Sequence, residues 1–193
     1  MKVVECDFPA NSLIDRRMVA AAYYRDSYRA PLSHPQASVT DIFHAIFAHR
    51  PIWMRLLFII RNHIVAIWGL HAEPANAVMN PVTARHYAVG DNIGSWPIFN
   101  LTETELIAGR NDRHLDFRIS IFREVENAAD CVTANKTDGA TVNTPVDATS
   151  SVIVSTVCEI HNTLGKIYLF FVIPFHRFGA QWLIAKAVKA KRL

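Results

Sequence analysis

Residues 51–70, PIWMRLLFIIRNHIVAIWGL, are the feature that most constrains the fold. The run has the length of a membrane-spanning helix, but Arg55 and Arg61 interrupt it. No part of it reaches the roughly 18 uncharged apolar residues that are typical of a span. Pro51 suits the first position of a helix, and Gly69 suits its C-terminal cap. The sequence therefore predicts a buried or half-buried helix rather than a membrane span.

Composition favours one domain and disfavours nucleic acid as a partner. The 193 residues are 51% hydrophobic and 19% charged, which is enough to build one core. The formal net charge is only +3, and the lysines and arginines are spread along the chain apart from a cluster at the C-terminus. We therefore expect residues 1–193 to form a single domain that does not bind nucleic acid.

The cysteines and the N-terminal residues bear on the compartment. Cys6, Cys131 and Cys158 are an odd number at wide spacings, which fits neither a metal knuckle nor a disulfide scaffold. Glu5 and Asp7 interrupt the apolar run that a signal peptide would need. We therefore expect a cytoplasmic protein without a targeting segment.

The first part of the chain predicts a strand followed by two consecutive helices. Residues 17–32 could begin as a short helix, but the tyrosines and the closing proline favour an edge strand. Ser38 and Asp41 form a capping box ahead of apolar residues at helical spacing, which predicts a helix over 39–49. The helix that begins at Pro51 is the second.

The second part of the chain predicts antiparallel strands. After a turn-rich stretch over 72–92, the segments IGSWPIFNL, ELIAGR and RHLDFRISIFREV have strand character. Residues 126–150 are rich in Ala, Thr, Asn and Asp, and we expect them to form a mobile loop that is inserted into the fold. Residues 151–161 and 166–173, on either side of the NTLG turn, predict the clearest hairpin in the chain.

Pro174 ends this predicted sheet, and the residues after it predict an amphipathic helix. Phe178, Trp182, Ala185 and Val188 share one helical stripe, and basic residues crowd the last turns. The order of elements predicts an α+β fold in which a curved antiparallel sheet grips a long C-terminal helix. Such a helix-grip fold leaves a cavity between sheet and helix, and we favour it over an open two-layer sandwich.

Three segments carry a resemblance to a known family. They are GDNIGSWPIFNLTETELIAGRNDRHLDFRISI, HNTLGKIYLFFVIPFHR and IFAHRPIWMRLLFIIRN. Together they resemble the bacterial family of unknown function DUF2867, and the resemblance covers most of the chain from about residue 23 onward. The spacing of the GD-IG-P, DRHLDFR and PFHR elements makes it specific.

The resemblance implies a fold similar to the START and Bet v 1 group of ligand-binding proteins, also called SRPBCC, and it implies no established activity. Members of the family occur alone or fused to NAD(P)-binding epimerase-like domains. This chain has no Gly-rich dinucleotide fingerprint, so it is similar to the standalone form. It departs from the family pattern at Asn111, where an acidic residue is usual, and in the 126–150 insertion.

A polar stripe in NDRHLDFR is the candidate functional feature. If RHLDFRISIF is a strand, alternation places His114, Asp116, Arg118 and Ser120 on one face. One interpretation is a solvated strand face with weak surface ion pairs. The other is a ligand clamp, in which Arg118 binds a carboxylate or phosphate, Asp116 holds Arg118, and His114 exchanges a proton.

Other residues are candidates because of their apolar side chains or their charge. Phe170, Phe178 and Trp182 would line the apolar part of the cavity. Arg61 must find a partner or reach water, and it could meet the carboxylates of the stripe. The whole predicted ligand site consists of His114, Asp116, Arg118, Arg61, Trp96, His161, Phe170, His176, Phe178 and Trp182.

These observations favour a protein that binds a small apolar or amphipathic molecule between the sheet and the last helix. One alternative is an enzyme that uses a His/Asp pair in the same cavity, with His114 as the base, although no nucleophile is visibly paired with it. Another is a peripheral membrane protein, which would present the basic end of the last helix and the apolar second helix to an anionic surface. The spacings of the nine histidines predict no metal site, and we expect no cofactor.

Overall fold

The computed structural model of the chain describes residues 2–49, 51, 52, 54, 86–125 and 150–193. The predicted second helix and the predicted loop insertion lie almost wholly outside these residues, and so does Arg61. These predictions therefore stay predictions.

The described residues form helices and strands in mixed order, which confirms an α+β fold. The helices are α1 (Arg16–Ala21), α2 (Val39–Phe47) and α3 (Thr163–Lys189). The strands are β1 (Val4–Glu5), β2 (Tyr24–Pro31), β3 (Asn92–Ile93), β4 (Trp96–Leu101), β5 (Glu105–Asn111), β6 (Leu115–Val125) and β7 (Ser150–Ile160).

The strands form one seven-stranded sheet in the order β1-β2-β7-β6-β5-β4-β3. Every neighbouring pair is antiparallel. The longest pairing joins β6 to β7, from Leu115 opposite Ile160 to Val125 opposite Ser150. Only the two-residue β1 lies outside β2, so the predicted edge strand is nearly at the edge of the sheet. The first long strand thus pairs with the last one.

Local caps explain where the first helices begin. The Asp15 side chain accepts a hydrogen bond from the Arg17 N–H at 2.8 Å, so the chain is helical from Arg16 and becomes a strand only at Tyr24. The predicted capping box is confirmed. The Ser38 hydroxyl accepts from the Asp41 N–H at 3.1 Å at the start of α2.

The predicted hairpin of 151–161 with 166–173 is wrong, because the second segment belongs to α3. β7 already pairs with β2 on one side and β6 on the other, so no edge of it is free for a further strand. The Asn162 side chain instead accepts from the Gly165 N–H at 3.0 Å and caps a helix. That helix continues through Pro174 to Lys189.

The inner face of the sheet packs against α2 and α3 and forms the main core. Side chains of neighbouring strands meet there, and α2 and α3 cover them. These residues are Tyr28, Ala30, Leu106, Ala108, Ile119, Ile121, Val152 and Val154 from the strands, Ile42, Phe43 and Ile46 from α2, and Leu183, Ile184 and Ala187 from α3.

The predicted apolar stripe of the last helix is confirmed only in part, because Trp182 and Val188 pack against the core whereas Phe178 is exposed. Phe178 is 63% exposed, and Trp182 is only half-buried against the core. The buried side of α3 instead carries Leu169, Gly179 and Leu183. A small residue such as Gly179 lets the helix backbone approach its neighbours, which a stripe of aromatic side chains would prevent.

The N-terminal segment and α1 cover part of the outer face of the sheet. Ile14 and Met18 pack there against Ile107 and Val157 in a second, smaller core. The buried Glu105 carboxylate fixes this segment, since it accepts from the Ser12 hydroxyl and the Leu13 N–H, each at 2.6 Å. The sheet is therefore covered on both faces, by different parts of the chain.

Candidate ligand-binding site

The polar stripe lies on the outer face of the sheet, opposite α2 and α3. Arg118 pairs with Gly109 and Ser120 pairs with Ile107, which belongs to the outer core. Alternation along β6 is as predicted, because Ile119 and Ile121 belong to the inner core. The prediction that Phe170, Phe178 and Trp182 share one cavity with this stripe is therefore wrong, since α3 covers the other face.

The stripe faces a pocket of about 340 Å³, which we call the outer pocket. Its apolar wall comes from the N-terminal segment, α1 and the sheet, and its rim is charged. The apolar lining residues are Leu13, Ile14, Met18, Phe99 and Ile107, and the polar ones are Asp15, Asn100, Asp116, Arg118 and Glu159. A pocket of this size is at the lower end of the range for small-molecule sites.

The Arg118 guanidinium is held in place by the sheet itself. It lies over the Phe99 ring, 3.6 Å from its centroid. Its Nη1 donates to the Phe117 carbonyl at 2.8 Å, and its Nη2 donates to the Asn111 side-chain oxygen at 2.7 Å. Burial lowers the pKa of Arg118 while the Asp116 carboxylate acts in the opposite direction. These hydrogen-bond acceptors are neutral oxygens, so they fix the position of the guanidinium without forming an ion pair with it.

Asp116 shapes the β5–β6 turn and the edge of the outer pocket. One of its carboxylate oxygens accepts from the Asp112 N–H at 3.1 Å, and the same oxygen lies 3.1 Å from His161 Nε2. The Asp116 side chain is 23% exposed, so it is neither enclosed nor in bulk water. The interpretation of the stripe as a fully solvated strand face therefore does not describe Asp116.

His114 takes a different position from the one that a proton-exchanging role in this pocket would need. Its ring lies beside the Asn162 amide, with Nδ1 at 2.8 Å from the amide nitrogen. Asn162 also caps α3, and its amide donates to the Arg113 carbonyl at 3.1 Å. His114 thus joins the β5–β6 turn to the start of α3, and His161 is the histidine beside Asp116.

His176 belongs to a separate polar cluster beneath α3. His176 lies within α3, with Nε2 at 3.4 Å from an Asp26 carboxylate oxygen. The Tyr24 hydroxyl donates to that oxygen at 2.6 Å, and the Asp26 side chain is only 2% exposed. This cluster connects β2 to α3.

The ionisation of Asp26 follows from these contacts. Burial alone would raise its pKa, but the nearby His176 ring and the hydrogen bond from the Tyr24 hydroxyl together hold the pKa below its ordinary value. Burial and the neighbouring carboxylate raise the pKa of Tyr24. Among the described residues, the second Asp26 oxygen has no hydrogen-bond donor.

The other predicted site residues within the described ranges do not reach the outer pocket. Trp96 packs edge-on against Phe43, Phe47 and Phe117 on the inner side of the sheet. Phe170 is 70% exposed on α3. Of the nine predicted residues that the structure describes, the outer pocket brings together only Asp116 and Arg118, with His161 beside Asp116.

Other reactive groups are scarce in the described part of the chain. Within those ranges no three His, Cys, Asp or Glu side chains are grouped as a metal site would require. Burial raises the pKa of Cys158 to about 12, so its thiol stays protonated near neutral pH.

The sequence analysis did not identify most residues of the pocket wall, nor Asp26 at the centre of the polar cluster beneath α3. Ile14, Met18 and Glu159 had no motif around them that indicates a site. Asp26 did carry a signal, because alternation in YRDSYRAP places it on the same strand face as Tyr24 and Tyr28. A carboxylate between two tyrosines on a buried face indicates a hydrogen-bonded cluster.

The protein is therefore an α+β protein with one antiparallel sheet. A long C-terminal helix lies on one face of this sheet, and a small pocket with charged residues lies on the other. The chain belongs to the family described as Protein of unknown function (DUF2867), whose sequence model matches residues 18–181. This confirms the family that the three segments indicated. No curated protein and no solved structure matches the chain.

Proposed function

We propose that this protein binds a small amphipathic molecule in the outer pocket. The observation that carries the proposal is the fixed Arg118 guanidinium, which lies next to an apolar wall inside a pocket of about 340 Å³. Preorganised charge lowers the cost of ordering a binding group, and the bidentate fork of arginine suits a carboxylate or phosphate. The apolar wall would accept the rest of the molecule.

The charges of the rim decide what kind of amphipathic molecule fits. Among the described residues of the rim, three carboxylates, Asp15, Asp116 and Glu159, accompany one cation, Arg118, so a purely anionic ligand would meet an excess of negative charge. A purely cationic ligand would provide no anionic group to pair with Arg118. A zwitterion satisfies both, with its anionic group on Arg118 and its ammonium group towards the carboxylates.

The experiment compares three probes that share one apolar group: phenylalanine, phenylpropanoate and phenethylamine. Each is titrated into the purified full-length protein and followed by amide proton–nitrogen NMR. We expect phenylalanine to bind most tightly and to shift the amides of Gly109, Arg118 and Glu159, which surround the pocket. Shifts confined to the α3 side, or no preference for the zwitterion, would contradict the proposal.

A pair of variants isolates the contribution of the guanidinium. Arg118→Gln removes the charge inside the pocket, and Arg29→Gln removes one from an exposed pair with Glu124 elsewhere on the sheet. We expect the first to weaken zwitterion binding by about tenfold or more, since charge-assisted hydrogen bonds contribute about 1.5–3 kcal/mol. The second should leave the affinity unchanged.

A second candidate function, an enzyme that uses a His/Asp pair in the same pocket, is favoured by one contact. His161 Nε2 lies 3.1 Å from Asp116, which lines the pocket. A carboxylate that orients an imidazole is a common arrangement for a general base. Mass spectrometry of a bound molecule recovered from wild type and from His161→Gln would test it. Chemical conversion that requires His161 supports the enzyme, and unaltered recovery from both supports binding alone.

The proposal extends to fold relationship and compartment. We propose a helix-grip fold similar to the START group, supported by the C-terminal helix on an antiparallel sheet in which the first long strand pairs with the last. The free thiols of Cys6 and Cys158 support a reducing cytoplasm.

A further inference from the structure

The solvent side of α3 carries a stripe of large aromatic residues, which we call the aromatic face. Phe170 is 70% exposed, and Phe171, Phe175 and Phe178 are each 63% exposed. At about 100° per residue, Phe171, Phe175 and Phe178 fall within about 60° of one another. They lie on the opposite side of the helix from Leu169 and Leu183, which pack into the core. Four exposed phenylalanines on one helix are far more than a water-facing surface needs.

The charges that α3 and the residues after it contribute are all positive. Residues 163–193 contain no aspartate or glutamate. Their cations are Lys166, Arg177, Lys186, Lys189, Lys191 and Arg192. Arg177 pairs with Glu5 of β1 at 3.0 Å, and Lys186 lies over the half-buried Trp182 ring. The helix therefore presents apolar rings flanked by net positive charge.

The geometry of α3 favours a position along a surface over a position across a membrane. The helix is long and apolar enough to span a membrane, and only 22% of its most apolar window is buried. Its other side, however, packs against β2, β7 and α2 through residues such as Leu183 and Ile184. A helix held in this way can expose one face to lipid but cannot be surrounded by lipid.

We propose that the aromatic face docks on the surface of an anionic lipid bilayer. The phenylalanine rings would enter the boundary between headgroups and acyl chains, while Lys186 and Lys189 would pair with anionic headgroups. A second copy of the chain fits less well as the occupant, because a symmetric dimer would bring two faces of net positive charge together. The outer pocket stays open to solvent in this orientation, because it lies on the other face of the sheet.

Vesicle co-sedimentation of the purified full-length protein tests the proposal. Vesicles of phosphatidylcholine with phosphatidylserine should bind the protein, and added salt should weaken the binding. The double variant Phe171→Ser/Phe175→Ser should bind about tenfold less or worse, since burial of each ring contributes substantially. The control Val4→Ser/Val89→Ser removes two other exposed apolar side chains and should bind like wild type.

A second pair of variants tests the charge. Lys186→Gln/Lys189→Gln should lose binding to phosphatidylserine vesicles several-fold, whereas Arg16→Gln/Arg25→Gln, which removes as much charge near α1, should not. Circular dichroism and thermal melts show whether each variant is folded. Light scattering measured with the same samples reports the oligomeric state.

Three outcomes would overturn the proposal. If the phenylalanine variant melts far below wild type, other parts of this chain cover the aromatic face. If wild type is a dimer and the phenylalanine variant is a monomer, a second copy of the chain covers the aromatic face. If wild type is a stable monomer that does not bind anionic vesicles, the aromatic face does not dock on a bilayer.

Discussion

At the scale of single residues, the character of the outer pocket depends on what neutralises Arg118. Its guanidinium bonds to the Asn111 amide oxygen at 2.7 Å and to backbone carbonyls. Oxygens of this kind fix the position of the group without cancelling its charge. An amide at position 111 is therefore compatible with an anionic ligand group on Arg118, and a carboxylate there would compete with it.

The variant Asn111→Asp tests this argument. The new carboxylate would form an ion pair with Arg118, which in a partly exposed position changes stability by roughly 0–1 kcal/mol. It should weaken binding of the zwitterionic probe about fivefold, because the anionic group of the ligand would meet a like charge. Calorimetric titration measures the affinity, and a urea melt measures the stability. An unchanged affinity would mean that Arg118 does not contact the ligand.

At the scale of elements, the position of α3 depends on a close backbone contact at its first turn. A Cβ atom added to Gly165 would lie only 2.2 Å from the His114 carbonyl oxygen. That oxygen belongs to the backbone of the turn between β5 and β6, so it cannot turn aside as a side chain could. Gly165 therefore lets the helix begin against the sheet.

Gly165→Ala sets helix propensity against this contact, and we expect the contact to dominate. Propensity alone would favour alanine by about 1 kcal/mol. The overlap requires α3 or the turn to shift, and overpacking of this kind costs typically 1–3 kcal/mol, so the variant should be less stable. Chemical denaturation measures the difference.

Gly179→Ala is the matched control within the same helix. Among the described residues, its added Cβ would meet only the end of the flexible Met54 side chain, at 3.3 Å. The same gain in helix propensity applies, so we expect a change of less than about 1 kcal/mol. Stabilisation by both substitutions would show that the contact between Gly165 and His114 is looser than described.

The first half of α3 also shows where sequence patterns fail. KIYLFFVI is apolar in both strand registers, so periodicity alone does not separate a buried strand from a helix. The deciding fact is that both edges of β7 are already paired, and that depends on β2, more than 100 positions earlier in the chain. The capping box at Ser38 was predictable because all its atoms lie within one turn.

At the scale of the whole molecule, the same limit applies to the site. Alternation in β6 correctly grouped Asp116 with Arg118 on one side of the strand. The N-terminal segment covers that side of the strand, and it is attached by hydrogen bonds from Ser12 and Leu13 to Glu105. No repeating pattern in the sequence predicts these bonds. The sequence therefore identified the charged residues but placed them under the wrong layer.

The polar cluster beneath α3 joins β2, near the start of the chain, to α3, near its end. We therefore expect it to affect how the free energy of unfolding changes at acid pH. The pKa of Asp26 is lower in the folded protein than in an ordinary carboxyl group, which has a pKa near about 3.9 in unfolded chains. A lowered pKa means that the folded state prefers the ionised form. Asp26 thus stabilises the fold fully above the unfolded pKa, and this contribution is lost as the pH falls through the folded value.

Asp26→Asn keeps the shape and removes the charge that His176 and Tyr24 contact. We expect the free energy of unfolding to fall by about 1–3 kcal/mol near neutral pH. The gap between wild type and variant should narrow below about pH 4, because wild-type Asp26 then becomes protonated as well. Urea denaturation over a pH series measures the gap, and Asp7→Asn, at an exposed position, controls for the loss of one negative charge. A gap that stays constant down to acid pH would show that ionised Asp26 does not hold β2 to α3.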